Sequence, residues 1–113
     1  MTTLALPARL ARALLHAFSH DPAFEQAWDG VGEWEHDDLQ ETLTEHVEDL
    51  MDHSRDVAHD ATQALVACLT PYPVLQTAWA QLEAAQQANG LARLYQVAQR
   101  AVDDNQAQPP GAP

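Results

Sequence analysis

The clearest pattern in the chain is the spacing of its apolar residues between about positions 35 and 69. Positions 39, 43, 47, 50, 54, 57, 61, 65 and 68 hold, in order, Leu, Leu, Val, Leu, Ser, Val, Ala, Leu and Cys. This spacing averages about 3.6 residues, which is the repeat of a straight amphipathic helix. It predicts one long helix over about 35–69, roughly 50 Å in length. Since a compact domain of this size has a radius of gyration of about 13 to 14 Å, either this helix bends near Ser54 and Arg55 or the molecule is elongated.

Proline, glycine and an aspartate cap predict two shorter helices before the long one. Pro7 suits the first turn of a helix whose apolar face continues to Phe18 and which ends near His20. Asp21 followed by Pro22 predicts the cap and first turn of a second, short helix. The glycines at positions 30 and 32 close it.

Prolines at positions 71 and 73 end the long helix, and two further apolar faces follow. On a single straight helix these faces would point about 150° apart, so one helix could not bury both. The first face consists of Leu75, Trp79 and Leu82, and the second of Leu91, Leu94, Tyr95, Ala98 and Val102. We therefore predict a turn at Asn89 and Gly90, with a last helix that runs to about Asp104.

The chain shows no alternating strand pattern. We predict an all-α fold, an irregular bundle of four to five helices built around the long amphipathic helix over about 35–69. A single helical domain occupies residues 1–105 in this interpretation, and residues 106–113 form a disordered tail. The main aromatic candidates for the core are Phe18, Phe24, Trp28, Trp34, Tyr72, Trp79 and Tyr95.

Negative charge is concentrated in one part of the chain. The 113 residues include 17 Asp and Glu against 5 Lys and Arg, which makes a formal net charge of −12. The segment 21–60 holds 14 of those acids and a single arginine. We expect no direct binding to nucleic acid or to an anionic membrane, because the cations that neutralise phosphates are missing.

Several other classes of protein are disfavoured by what the sequence lacks. No apolar run approaches the roughly 20 residues of a membrane span, and the first residues do not form a secretory signal pattern, so we expect a cytoplasmic protein. The single cysteine, Cys68, excludes an internal disulfide and a zinc site of several thiolates from this chain alone. It lies on the apolar seam, which is the name used here for the row of mostly apolar residues between positions 39 and 68 of the long predicted helix. Cysteine in such a position usually acts as a small buried hydrophobe.

Sequence patterns for catalysis are also missing. No serine or threonine lies in a glycine-rich elbow, and the four glycines form no phosphate-binding loop. Paired acids occur within one predicted helix, whereas helical magnesium-dependent pyrophosphohydrolases need such pairs on different helices. We therefore predict that the chain is not an enzyme and needs no cofactor.

The candidate binding site is a stripe of acids on the long predicted helix. Glu41, Glu45, Glu48 and Asp52 are spaced four, three and four residues apart, so they share one solvent-facing stripe. Like charges at this spacing repel one another, which costs about a few tenths of a kcal/mol per pair. One hypothesis is that the stripe imitates a run of phosphates and docks on a basic, nucleic-acid-binding protein. The alternative is an ordinary solvated face of an acidic protein.

Two tryptophans border the glycine loop inside the acidic segment. Trp28 and Trp34 are either part of the core or partly exposed anchors for a partner, because tryptophan often supplies the strongest contacts of an interface. We include both among the candidate partner-binding residues.

Six histidines suggest an alternative chemistry. His16 and His20 share a face of the first helix at the spacing of helical metal sites, and His46 and His53 border the seam of the long helix. The four could meet across a bundle as metal ligands. Alternatively, His16 and His20 share a stripe with the arginines at positions 9 and 12, and this stripe pairs with the acidic helix.

Together these patterns favour a small, acidic, non-enzymatic binding protein. In size and charge it is comparable to nucleic-acid mimics, inhibitors, antitoxins and immunity proteins. Two alternatives remain open: a metal-binding helical bundle, and a structural subunit that forms a homo-oligomer through the long helix.

Overall fold

The computed structural model describes residues 5–107, which form six helices and no strand. In chain order they are α1 (Leu6–Ser19), α2 (Glu25–Asp29), α3 (Glu33–Met51), α4 (Val57–Cys68), α5 (Pro73–Ala80) and α6 (Ala84–Ala107). The predicted all-α bundle is confirmed, but it contains six helices where four to five were predicted, because the segment predicted as one long helix forms two. The backbone of residues 106 and 107 continues α6, and the rest of the predicted tail lies outside the described residues. No helix in the described range is both long and apolar enough to cross a membrane.

The segment predicted as one long helix contains two helices, α3 and α4, because the chain bends at residues 52–56. Ser54 occupies an apolar position of the seam, but its hydroxyl donates a hydrogen bond to Asp60 Oδ2 at 2.5 Å. The side chain of Asp56 accepts one from the backbone N–H of His59 at 3.1 Å and so caps the N-terminus of α4. The prediction of a bend near Ser54 is therefore confirmed, and that of a continuous helix over 35–69 is wrong.

The bend makes the molecule compact. Helix α4 returns against α3, while α1 packs against α3, α4 and α6. The radius of gyration is 14.2 Å and the molecule measures 45 × 30 × 24 Å, so the elongated alternative is also wrong. Much of the apolar seam is buried within one chain, although it is divided between α3 and α4. Its buried residues include Leu39, Leu43, Val47, Ala61, Leu65 and Cys68. A homo-oligomer built on a continuous long helix has no support in this architecture.

Helix α1 lies at the centre of the core. Its buried residues are Leu10, Ala11, Leu14, Leu15 and Phe18. At the end of this helix Phe18 stacks on Phe24 with ring centroids 4.4 Å apart, and Phe24 stacks on Trp79 at 5.8 Å. These aromatic contacts join α1 to the turn before α2 and to α5, so the three aromatic residues belong to the core as predicted.

The predicted turn at Gly90 is wrong. Two helices with different faces are present, but the turn between them lies at residues 81–83, and α6 runs through Gly90 without interruption. The turn is fastened by glutamine side chains: Gln86 accepts from the backbone N–H of Glu83, and Gln87 donates to the carbonyl oxygen of Trp79. Gly90 is buried because the indole of Trp79 lies over it. The glycine therefore lies in the interior of α6 and does not end a helix.

We expect the Gly90→Ala variant to be more stable than the native chain. An added Cβ would lie 3.6 Å from Cζ3 of Trp79, which is an ordinary van der Waals contact. In the interior of a helix, alanine is favoured over glycine by about 0.5 to 1 kcal/mol. Urea unfolding followed by circular dichroism measures the gain. A loss of stability would instead show that Trp79 has no room to accept the methyl group.

Candidate protein-interaction surface

The outer side of α3 carries a row of carboxylates. The buried residues of this helix, Leu39, Leu43 and Val47, face the core, and the intervening acids therefore point to solvent. A shallow groove along this side is lined by Arg12, Asp37, Gln40, Glu41, Thr44, Glu45 and Glu48. Its four acids, Asp37, Glu41, Glu45 and Glu48, are called the acidic groove below.

The structure changes the membership of the predicted stripe at both ends. Glu41, Glu45 and Glu48 line one groove, as their spacing predicted. Asp52 does not line it, because α3 ends at Met51 and Asp52 is only its C-terminal cap. At the N-terminal end of the groove, Asp37 is an additional acid that the predicted stripe did not include. Sequence reasoning missed it, although its position four residues before Glu41 places it on the same helical face.

The groove acids are not neutralised by the neighbouring helix. Arg12 of α1 lines the groove, yet within residues 5–107 neither it nor any of the four acids takes part in an ion pair. For Arg12, the predicted pairing of α1 with the acidic helix therefore amounts to proximity without an ion pair. The exposed carboxylates keep their charge available for a partner.

Trp34 lies at the N-terminal end of the groove, and 91% of its surface is exposed. It lines a second hollow with Glu33, Asp37, Asp38 and Glu41. Because Asp37 and Glu41 line both hollows, the indole and the carboxylates form one continuous region. We call Trp34 and the acidic groove together the acidic surface. The core interpretation of Trp34 is wrong, since five residues separate it from Leu39 and so turn it well away from the buried face.

Trp28 has a different role from Trp34. It is partly buried, its ring stacks on His36 at a centroid distance of 4.0 Å, and Phe18 meets it edge-on at 6.1 Å. His36 Nε2 also lies 2.9 Å from the carbonyl oxygen of Trp28. These contacts fasten α2 to the first turns of α3. Trp28 therefore supports the helix that carries Trp34, and it does not line the acidic surface.

Asp38 is held in place by a hydroxyl from another part of the chain. The Tyr72 hydroxyl, just before α5, donates a hydrogen bond to Asp38 Oδ2. Burial of the phenol, followed by the hydrogen bond to Asp38 and its charge, raises the pKa of Tyr72 to about 12. The contact ties the first half of α3 to the segment before α5, which sequence reasoning did not anticipate because the two residues are 34 positions apart.

The ionisation of Tyr72 is expected to be visible in an alkaline absorbance titration. A phenol normally ionises with a pKa of 10.0, whereas that of Tyr72 is about 12 in the folded protein. Because the folded-state pKa is the higher one, this contribution to stability is complete below pH 10 and is lost as the pH rises through about 12. The Tyr72→Phe variant should lose the late step of the titration. If the native chain showed no tyrosine ionisation step above the pH range of an ordinary phenol, this assignment would be contradicted.

The histidines proposed as alternative metal ligands do not assemble a site. His16 and His20 are neighbours with ring centroids 4.2 Å apart, and His20 Nδ1 lies 2.9 Å from the carbonyl oxygen of His16. His46 and His53 are exposed. Within residues 5–107, no group of three or more His, Cys, Asp and Glu side chains is arranged to hold a metal ion.

The single cysteine of the chain lies in the core. Cys68 is buried in the core, as predicted for a small hydrophobe. Burial raises the pKa of its thiol, so the reactive thiolate is disfavoured.

Comparison with known proteins adds no relative. No protein-family model, curated protein or solved structure matches the chain. What the acidic surface binds therefore has to follow from its own chemistry.

Proposed function

We propose that the chain is a non-enzymatic binding protein that docks its acidic surface on a basic protein. The observation that carries this proposal is the nearly complete exposure of Trp34 beside four carboxylates that lack ion pairs within the described chain. A large indole ring left in water costs free energy that burial in an interface would recover. Tryptophan is also the residue type most often found where binding energy is concentrated.

The charge pattern indicates the chemistry of the partner. The acidic groove places four negative charges along roughly 16 Å of helix, because Asp37 and Glu48 are 11 residues apart at about 1.5 Å per residue. A row of this kind presents successive charges to a protein groove much as a nucleic-acid backbone does. The indole at its end can also accept a guanidinium or ammonium group on its face. A protein with a row of Arg and Lys residues fits both features.

The proposed mechanism is occlusion of a nucleic-acid-binding site. The carboxylates would occupy the Arg and Lys side chains that otherwise hold phosphates, and Trp34 would supply the apolar contact. The chain would then act as an inhibitor, antitoxin or immunity protein toward a cytoplasmic nucleic-acid enzyme. Because association is steered by charge, it should be fast and should weaken as salt is added.

The test is affinity capture from lysate of the source cell with three baits. The first is the native chain, and the second is a groove variant with Asp37→Asn, Glu41→Gln, Glu45→Gln and Glu48→Gln. The third is a control variant with Asp49→Asn, Asp52→Asn, Asp103→Asn and Asp104→Asn, which loses the same number of charges from exposed acids outside the groove.

The expected result is that the native and control baits capture the same basic, nucleic-acid-binding protein, that salt releases it, and that the groove variant captures much less. Equal capture by all three baits would show that total charge, and not the acidic surface, is responsible. Capture by none of them would leave the surface as a solvated helix face and overturn the proposal.

A further inference from the structure

A second region of the molecule, away from the acidic surface, has the form of a small-molecule site. A cleft of about 610 Å³ lies between α4 and α6. Its lining includes the small side chains of Ala88 and Ala92, the larger apolar side chain of Leu91, and the ring of Tyr95. The volume falls within the range of about 300 to 1,000 Å³ that is typical of ligand pockets in proteins. The cleft is large enough for a molecule with one aromatic ring.

The polar groups of this cleft gather where α4 begins. Asp56, His59 and Tyr95 are all lining residues, and the rings of His59 and Tyr95 are 6.4 Å apart. Oδ1 of Asp56 accepts a hydrogen bond from the backbone N–H of His59 at 3.1 Å, and Oδ2 lies 3.3 Å from the Tyr95 hydroxyl. The single proton of that hydroxyl is shared between Asp56 and Gln99 Oε1, which is also 3.3 Å away. Each oxygen retains a further lone pair, so the carboxylate is oriented in advance for another donor.

Asp56 is the one acidic residue among the described residues that line the cleft. The lining contains no arginine, and the one lining residue that can become cationic, His59, already lies 3.3 Å from Asp60. The N-terminus of α4 carries only about half a positive charge, which the full charges of Asp56 and Asp60 outweigh. The negative charge of Asp56, then burial, then the Asp56 hydrogen bond and the charge of Asp103 raise the pKa of Tyr95. A cation is therefore the ligand class that this cleft complements.

We propose that the cleft between α4 and α6 binds a small organic cation, namely a protonated primary amine joined to an apolar body about the size of one aromatic ring. The ammonium group would donate to the Asp56 carboxylate beside the Tyr95 ring, whose face attracts cations. The apolar body would lie against Leu91 and Ala92. This assignment is independent of the acidic surface, because none of these residues lines it.

The first experiment compares three probes of similar shape by heteronuclear NMR of the full chain at constant salt. Phenethylammonium carries the positive charge, 2-phenylethanol is neutral, and phenylacetate is negative. The cation should shift the amide signals of residues 56–63 and 88–96. It should bind about five-fold more tightly than the alcohol, since an exposed charge pair contributes on that order, and phenylacetate should bind least.

Two variants and a control locate the binding site. Asp56→Asn removes the charge but keeps an equally good helix cap, so the fold is preserved. Ala92→Leu fills the cleft at an exposed helical position. Asp49→Asn removes one exposed acid from α3, outside the cleft, and controls for the general attraction of cations by an acidic protein.

Affinity for phenethylammonium should fall about five-fold in Asp56→Asn, fall at least as far in Ala92→Leu, and stay unchanged in Asp49→Asn. Three outcomes would overturn the proposal: equal binding of the amine and the alcohol, equal loss in Asp56→Asn and Asp49→Asn, or no amide shifts at the solubility limit of the amine.

Discussion

The Leu14→Ala variant is expected to lose about 3 kcal/mol of unfolding free energy, the largest stability effect that we anticipate from a single substitution. Leu14 is 0% exposed, and it lies on α1, the helix that packs against α3, α4 and α6. Truncation removes its buried methyl groups and leaves a cavity that three helices cannot readily close. Since a domain of this kind is stable by only about 5 to 15 kcal/mol, the substitution should remove about a fifth to three fifths of the unfolding free energy.

Urea and thermal unfolding followed by circular dichroism measure this loss. The matched control is Met51→Ala, because Met51 is the last residue of α3 and 42% of its surface is exposed. The control should change the unfolding free energy by no more than about 0.5 kcal/mol. Similar losses in both variants would contradict the central position of α1.

The Trp34→Ala variant is expected to behave in the opposite way, with nearly native stability and a large loss of binding. Its indole makes little contact with the rest of the chain, as its 91% exposure shows, so its removal should leave the melting temperature almost unchanged. If Trp34 anchors the partner, affinity should fall by about 2 kcal/mol or more, which is roughly thirty-fold. This expectation rests on the proposed function and uses the partner that the native bait captures.

Titration calorimetry on the purified partner, together with a melting curve of each variant, separates the two effects. Trp28→Ala is the control, because it also removes one indole, but one that packs against Phe18 and His36. That variant should lose stability and retain more of its affinity than Trp34→Ala. Unchanged affinity in Trp34→Ala would show that the tryptophan is not part of the interface and that only the carboxylates contribute to binding.

Local patterns were sufficient to predict most of the helices. The proline at position 7 and the periodic apolar face predicted α1 nearly to its ends, and the clash of two apolar faces after Pro71 correctly required two helices. The position of the turn between them could not be predicted from the same pattern. Gly90 lies inside α6 beneath Trp79, and a sequence does not distinguish a glycine in the interior of a helix from one that ends a helix.

The bend between α3 and α4 was only partly visible in the sequence. Ser54 interrupts the apolar seam, and this interruption was the available signal. The cap at Asp56 was hidden because it lies among many acids, where a structural aspartate looks the same as one that contributes only charge. Asp56 also meets Tyr95, 39 positions later, and a contact of that separation depends on how two helices pack.

The acidic groove was predictable to the extent that it depends on helical spacing. Glu41, Glu45 and Glu48 follow from the period of one helix. Asp52 was included in error because the predicted helix did not end at Met51. The exposure of Trp34 depends on which face of α3 meets α1 and α4, and this could have been inferred from its offset from Leu39.

The packing of α1 against α6 brings together the first and the last helices of the described chain. During synthesis, α1 leaves the ribosome before the other five helices, while α6, which covers part of its apolar face, is the last of the six to emerge. Helices α3 and α4 can cover part of that face earlier, but the core cannot close until residues 84–107 have emerged. The nascent chain therefore exposes part of the apolar face of α1 until α6 has emerged, and a truncated product that lacks α6 would expose the same surface permanently.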